Sequence, residues 1–91
     1  IGKKYGVLVV ASAGNDSYGP FSWHNNDTSP KIPAALDSAN LITIASTTNS
    51  GGLSSFSNIG PTTVDIASPG SDIYSTVNGN KYAMASGTSM A

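Results

Sequence analysis

Two side chains sit in small-residue turns that can expose them for chemistry. Ser89 lies in "SGTSMA", residues 86–91, after Gly87 and Thr88 and before an apolar pair that reads as the opening of a helix. A hydroxyl placed there is close to unpaired backbone N–H groups and to the positive end of the helix dipole, both of which stabilise developing negative charge. Gly87 lets a substrate backbone come near. The same residue types also serve as plain helix caps, and capping is the commoner use of Thr88 or Ser89. Asn15 is the second candidate, in "VLVVASAGND". It follows a strand-like run, where the ligand sites of open α/β sheets gather, and its amide can donate to an oxyanion. An Asx-turn residue after Gly14 is the plainer reading.

The elements that must position these two residues are short. Val7 to Ala11 and Leu41 to Ala45 are continuous apolar, largely β-branched runs, the pattern of strands buried on both faces of a parallel sheet. Val64 to Ala67 is a third apolar strand, closed by Pro69-Gly70. "NSGG" at 49–52 reads as a turn and "SSFSN" at 54–58 as a short extended piece. Asp72 to Val77 and Lys81 to Ala85 flank "NGN", in which Asn78-Gly79 is a two-residue hairpin signal. Residues 16–33 form a polar loop with three prolines, and loops of that length rarely lack a task. At the start, Lys3-Lys4 suit the negative end of a helix and Gly6 its C′ position. Both ends therefore read as interrupted elements, and the whole as one α/β piece.

Composition narrows the function. Of 91 residues, 10% are charged, every acid is Asp, and the net charge is −1. Four scattered lysines and no arginine make no basic stripe, which argues against a nucleic-acid partner. No apolar run approaches the roughly 18 residues of a membrane helix. With no cysteine, disulfide scaffolds and thiol catalysis are excluded within this sequence. The Ser/Thr/Asn-rich, lysine-poor surface leans towards an extracellular protein.

Taken together, "VLVVASAGND" and "YAMASGTSMA" resemble the subtilisin-like serine proteases, the subtilases. The intervening "SSFSNIGPTTVDIASPGSDIYST" is similar to the family as well, with Ser68 where its "D-x-x-A-P-G" has Ala. The likeness covers nearly the whole chain except the loop from Asp16 to about Ala39. It implies a three-layer α/β fold with a mostly parallel sheet, of which residues 1–91 are a portion truncated at both ends. It also implies a serine endopeptidase acting through an acyl-enzyme, polypeptide substrates, a monomeric parent and secretion. By the same resemblance Ser89 is the nucleophile and Asn15 the oxyanion donor, paired with the Ser89 backbone N–H. Ser12, Ala13 and Gly14 would line the pocket for the substrate side chain before the cut.

The departures are informative. A serine needs a base, and the base an orienting acid. The family's "D-[ST]-G" and "H-G-T/H" motifs are absent. The one histidine, His24 in "SWHNND", has the context of a loop residue packed beside Trp23. Asp65 reads as structural, Asp16 and Asp27 as loop acids. The chain alone is therefore expected to be inactive. No cofactor is expected for the chemistry. Asp16, Asn25, Asn26 and Asp27 offer hard oxygens, and the resemblance raises structural calcium in the parent without assigning ligands. The Ile32-Pro33 bond is a candidate for cis. Two rival classes stand beside the protease: an inactive subtilase-like paralogue and a secreted β-rich binding module.

Overall fold

The computed structural model describes residues 5–19 and 21–91. Among the described residues five strands carry the architecture. β1 (Val9–Ser12), β2 (Leu41–Thr47) and β3 (Ile66–Pro69) form a parallel sheet in the order β1-β2-β3. β4 (Ile73–Val77) and β5 (Lys81–Ala85) pair antiparallel as a separate hairpin. In the sheet Val9 faces Leu41 and Ser12 faces Ile44, while Ile44 faces Ile66 and Thr47 faces Pro69. The parallel pairing expected from the apolar runs is thus present in a partial α/β fold. The strand ends move by up to two residues: β1 begins at Val9 rather than Val7, and β3 at Ile66 rather than Val64.

Three local expectations change. "SSFSN" is a turn, closed by the Ser57 N–H donating to the Ser54 carbonyl at 3.0 Å, and is not extended. The hairpin loop is three residues long, because Val77 pairs with Lys81 and both Gly79 (φ 83°) and Asn80 (φ 58°) turn left-handed. Residues 88–90 form a tight turn in which the Met90 and Ala91 N–H groups reach the Gly87 and Thr88 carbonyls, 3.1 and 3.3 Å. That is the beginning of a helical turn and no more. The Lys3-Lys4 helix end lies outside the described residues, although Tyr5 is helical and Gly6 takes φ 67°. The Ile32-Pro33 bond is cis. Among the described residues no helix is long and apolar enough to cross a membrane.

Burial departs most from the sequence pattern. The expectation of two-faced burial holds for β2, which is central and buried or half-buried throughout. It fails for the run 7–10, where Val7, Leu8, Val9 and Val10 are all exposed, and Ile66 in β3 is exposed as well. Nothing among the described residues packs over those faces. The buried centre is instead small and polar. Ala13, Ala34 and Ala45 are its apolar members, and Asn26, Asn58, Thr43, Ser46, Ser54 and Ser57 are buried with them. Buried polar groups are tolerated only with partners, and among the described residues no buried side-chain nitrogen or oxygen lacks one. This polar centre lies directly behind the turn that follows β1.

Candidate active site

The turn after β1 and the turn after β5 meet. Gly14 takes φ 112°, a conformation that glycine alone adopts readily, and so bends the chain sharply off the strand. Its N–H donates to Thr88 Oγ1 at 3.1 Å. Thr88 in turn donates twice to Asn15 Oδ1, from its backbone N–H and from its hydroxyl, each at 2.9 Å. The Gly87 N–H donates to the Gly70 carbonyl at 2.8 Å, anchoring the second turn to the end of β3. Asn15 and Ser89, 74 positions apart in sequence, are thereby held on neighbouring turns with both side chains exposed, while Gly87 and Thr88 are buried beneath them.

This pattern orients the Asn15 carboxamide. Its oxygen is turned towards Thr88, so its NH₂ group is the end left to face outward. Nδ2 lies 3.5 Å and the Ser89 backbone nitrogen 3.8 Å from where a side chain on Gly87 would begin, so both nitrogens flank the glycine. Neither hydroxyl acts as the helix cap that composition alone suggests. Thr88 Oγ1 spends its proton on Asn15, and Ser89 remains exposed. Thr88 was missed as a functional residue because a threonine beside a serine reads as packing or capping.

A cavity of about 390 Å³ adjoins Asn15. Ser12, Ala13 and Gly14 line it together with Asn15 and Asp16, and Lys31 to Ala34 line it as well, around the cis bond. Lys31 pairs with Asp16 Oδ2 at 3.1 Å. The Asn58 amide, with Lys31 after it, holds the Asp16 carboxyl below its ordinary pKa. A second hollow of about 290 Å³ runs beside Ser89 along Val10, Ala11 and Ser12.

His24 is not brought into this arrangement. Its Nε2–H donates to the Ser29 carbonyl at 2.8 Å, and its backbone N–H donates to Ser17 Oγ, so it braces its own loop. Asp65 is structural: its carboxylate accepts the Thr43 N–H at 2.8 Å, tying β3 to β2. Asp27 accepts from the Thr62 N–H and from both the N–H and hydroxyl of Thr63, and the Thr63 hydroxyl above all lowers its pKa. The loop oxygens considered for calcium do not fit a cation as arranged. Asp16 and Asp27 face donors, Asn25 Oδ1 accepts the Asp27 N–H, and Asn26 Oδ1 accepts from Asn58. Donor hydrogens would meet the ion.

The profile of the subtilase family matches residues 1–91. The chain belongs to the subtilase family. Thermitase of Thermoactinomyces vulgaris is 45% identical over 94% of this chain and 26% of its own length. The halolysin-like extracellular serine protease Nep of Natrialba magadii is 43% identical over 94% of this chain and 14% of its own. Subtilisin-like protease 2 of Plasmodium falciparum is 38% identical over 94% of this chain and 6% of its own. Among solved structures, a mutant of the epidermin leader peptide processing serine protease of Staphylococcus aureus superposes with a TM-score of 0.82 at 28% identity. It covers 98% of this chain and 28% of that one. This subtilase chain therefore spans about a quarter or less of the curated relatives it matches.

Proposed function

We propose that residues 1–91 are part of a longer, secreted, monomeric serine endopeptidase and supply its nucleophile and oxyanion site. The observation that carries this reading is the double hydrogen bond from Thr88 to Asn15 Oδ1, which presents the Asn15 NH₂ beside exposed Ser89. Ser89 Oγ attacks the carbonyl carbon of the scissile peptide, and the electron pair moves onto the carbonyl oxygen. The Asn15 Nδ2–H and the Ser89 backbone N–H stabilise that oxyanion more strongly than the neutral carbonyl, which is what lowers the barrier. Collapse expels the amine, which takes up the proton that the base removed from Ser89, and leaves an acyl-enzyme whose ester water hydrolyses to a carboxylic acid and free Ser89. Ser12, Ala13 and Gly14 line the cavity for the side chain preceding the cut.

The proton of Ser89 requires a base within hydrogen-bond reach, and His24 is committed to its own loop. The base and its orienting Asp therefore come from another part of the protein. Relatives described as extracellular proteases support secretion and polypeptide substrates. The exposed apolar faces of β1 and β3 fit a larger domain in which further segments cover them.

The test uses the full-length protein with a fluorophosphonate probe and a peptide substrate. Labelling of Ser89 and turnover lost in Ser89→Ala are expected. A protein that turns over no peptide and takes no label would replace the protease reading with that of an inactive paralogue.

A further inference from the structure

Asn58 touches the Asn15 turn on both sides of Asn15. It is fully buried. Its backbone N–H donates to the Gly14 carbonyl at 2.9 Å, and its Oδ1 accepts the Asp16 N–H at 2.7 Å. Its Nδ2 donates to the Ala13 carbonyl at 3.1 Å and to Asp16 Oδ2 at 2.9 Å, and shares a third contact with Asn26 Oδ1 at 3.2 Å. Asn26, equally buried, donates to the same Ala13 carbonyl at 2.9 Å. Residues 13, 14 and 16 are thus each tied to Asn58, through its side chain or its backbone, so the chain is held on both sides of residue 15.

The fit is close. A Cβ on Gly14 would fall 2.5 Å from Asn58 Nδ2, so the carboxamide occupies the space that the glycine leaves. An apolar side chain of similar size could fill that space, but it could neither donate to Ala13 and Asp16 nor accept from Asp16. The position demands a planar group with a donor and an acceptor at opposite ends, which is what asparagine provides. Thr88 holds the end of the Asn15 side chain, and Asn58 holds the backbone from which that side chain springs.

We propose that Asn58 is a positioning residue for the oxyanion site, setting where the Asn15 NH₂ stands while itself touching no substrate. The inference rests on the protease reading above. A donor must sit where the oxyanion forms, and misplacement by about 1 Å costs on the order of 100-fold in rate. Asn58 also holds Ala13 and Gly14 at the cavity wall, so the mark of a positioning role is a loss in kcat that depends on the Asn15 side chain.

The experiment is a double-mutant cycle in the full-length enzyme, with Asn58→Ser and Asn58→Ala made alone and in an Asn15→Ala background. Alone, each is expected to lower kcat roughly 10- to 100-fold, a larger effect than any change in KM. In the Asn15→Ala background the same change should cost less than about threefold, because no donor is left to misplace. An equal loss in both backgrounds, or a loss confined to KM, makes Asn58 merely structural and overturns the proposal while leaving the protease reading intact. Should the Asn58 variants fail to fold by circular dichroism, Asp16→Ala carries the same cycle. That position is partly exposed, with 39% of its side chain accessible, and truncating it removes the Asn58 Nδ2 contact to Asp16 Oδ2 at the turn's far end while the backbone bond to Asn58 Oδ1 stays. A wild-type protein with no turnover and no labelling at Ser89 overturns both readings together.

Discussion

Thr88 makes two hydrogen bonds to one atom, Asn15 Oδ1, at 2.9 Å from its backbone N–H and 2.9 Å from its hydroxyl. The threonine preceding the proposed nucleophile is therefore also the residue that aims the oxyanion donor. A third bond, from the Gly14 N–H to Thr88 Oγ1, makes the hydroxyl a junction between the two turns. Side-chain networks of this kind are worth more than their separate bonds, because each member fixes the geometry of the next.

Two substitutions separate the donor from the residue that aims it. Asn15→Ala should lower kcat by roughly 100- to 1000-fold with little change in KM, a magnitude carried over from subtilisin. Thr88→Val keeps the backbone bond but removes the hydroxyl, leaving the Gly14 N–H without its acceptor at a cost of about 1–3 kcal/mol. Its kcat should fall by roughly tenfold, and Thr88→Ser should restore most of the loss. Steady-state kinetics on one peptide substrate decide the matter. Full activity in Asn15→Ala, with the protein folded, would return Asn15 to the role of a turn residue.

Gly14→Ala should be among the most damaging single changes in the chain. At φ 112° a side chain is strained by about 1–3 kcal/mol before any contact is counted. The added methyl would also meet the Asn58 carboxamide at 2.5 Å. Thermal unfolding and kcat should both drop, since the clash pushes on the clamp behind Asn15. A variant with unaltered melting and turnover would show that this turn relaxes at no cost.

Much of this arrangement could be read from the sequence, and the reasons are physical. "VLVVA", "LITIA" and "VDIA" showed their strands because β-branched runs bounded by Gly, Pro and Asn have few other uses. Ser89 and Asn15 stood out because small residues surround both. Asn58 did not, although it lies in the quoted "SSFSN". A buried asparagine with six hydrogen bonds and a solvated turn asparagine are the same letter, and only tertiary contact separates them. The alternation of Ser and Phe there mimicked a strand, whereas the Ser57–Ser54 hydrogen bond closes a turn. The run 7–10 has the pattern of a strand covered on both faces, yet it is exposed because nothing among the described residues covers it.

Acid should weaken the two loop clamps. Hydrogen bonds from Thr63 lower the pKa of Asp27, and those from Asn58 and Lys31 lower that of Asp16, against an ordinary value of 3.8. A carboxyl with a depressed folded pKa contributes stability above its unfolded pKa, and the contribution is lost as pH falls through the folded value. Stability should therefore be level from neutrality to about pH 5 and fall below the ordinary carboxylate range. Urea midpoints of wild type and Asp27→Asn in the full-length protein should differ near neutrality and converge as the pH drops below 3.8. A difference that stays constant across that range would mean that the Asp27 charge contributes nothing.

The last expectation concerns the 91 residues in isolation. Val7, Leu8, Val9 and Val10 are 46%, 58%, 42% and 59% exposed, and Ile66, at the other side of the sheet, is 54% exposed. Apolar strand surface left in water is a site for association, because pairing with another copy buries it. β1 and β3 are also the two edges of their three-stranded sheet, so each has a row of backbone groups ready to pair. The isolated chain should therefore bind dyes that report exposed apolar surface and grow in mass with concentration. Both effects should be absent from the full-length protein if its further segments cover these faces. Light scattering and dye fluorescence on the two proteins, measured side by side, test the claim. An isolated chain that stays monomeric and melts in one sharp transition would show that the small polar centre around Asn26 and Asn58 is core enough.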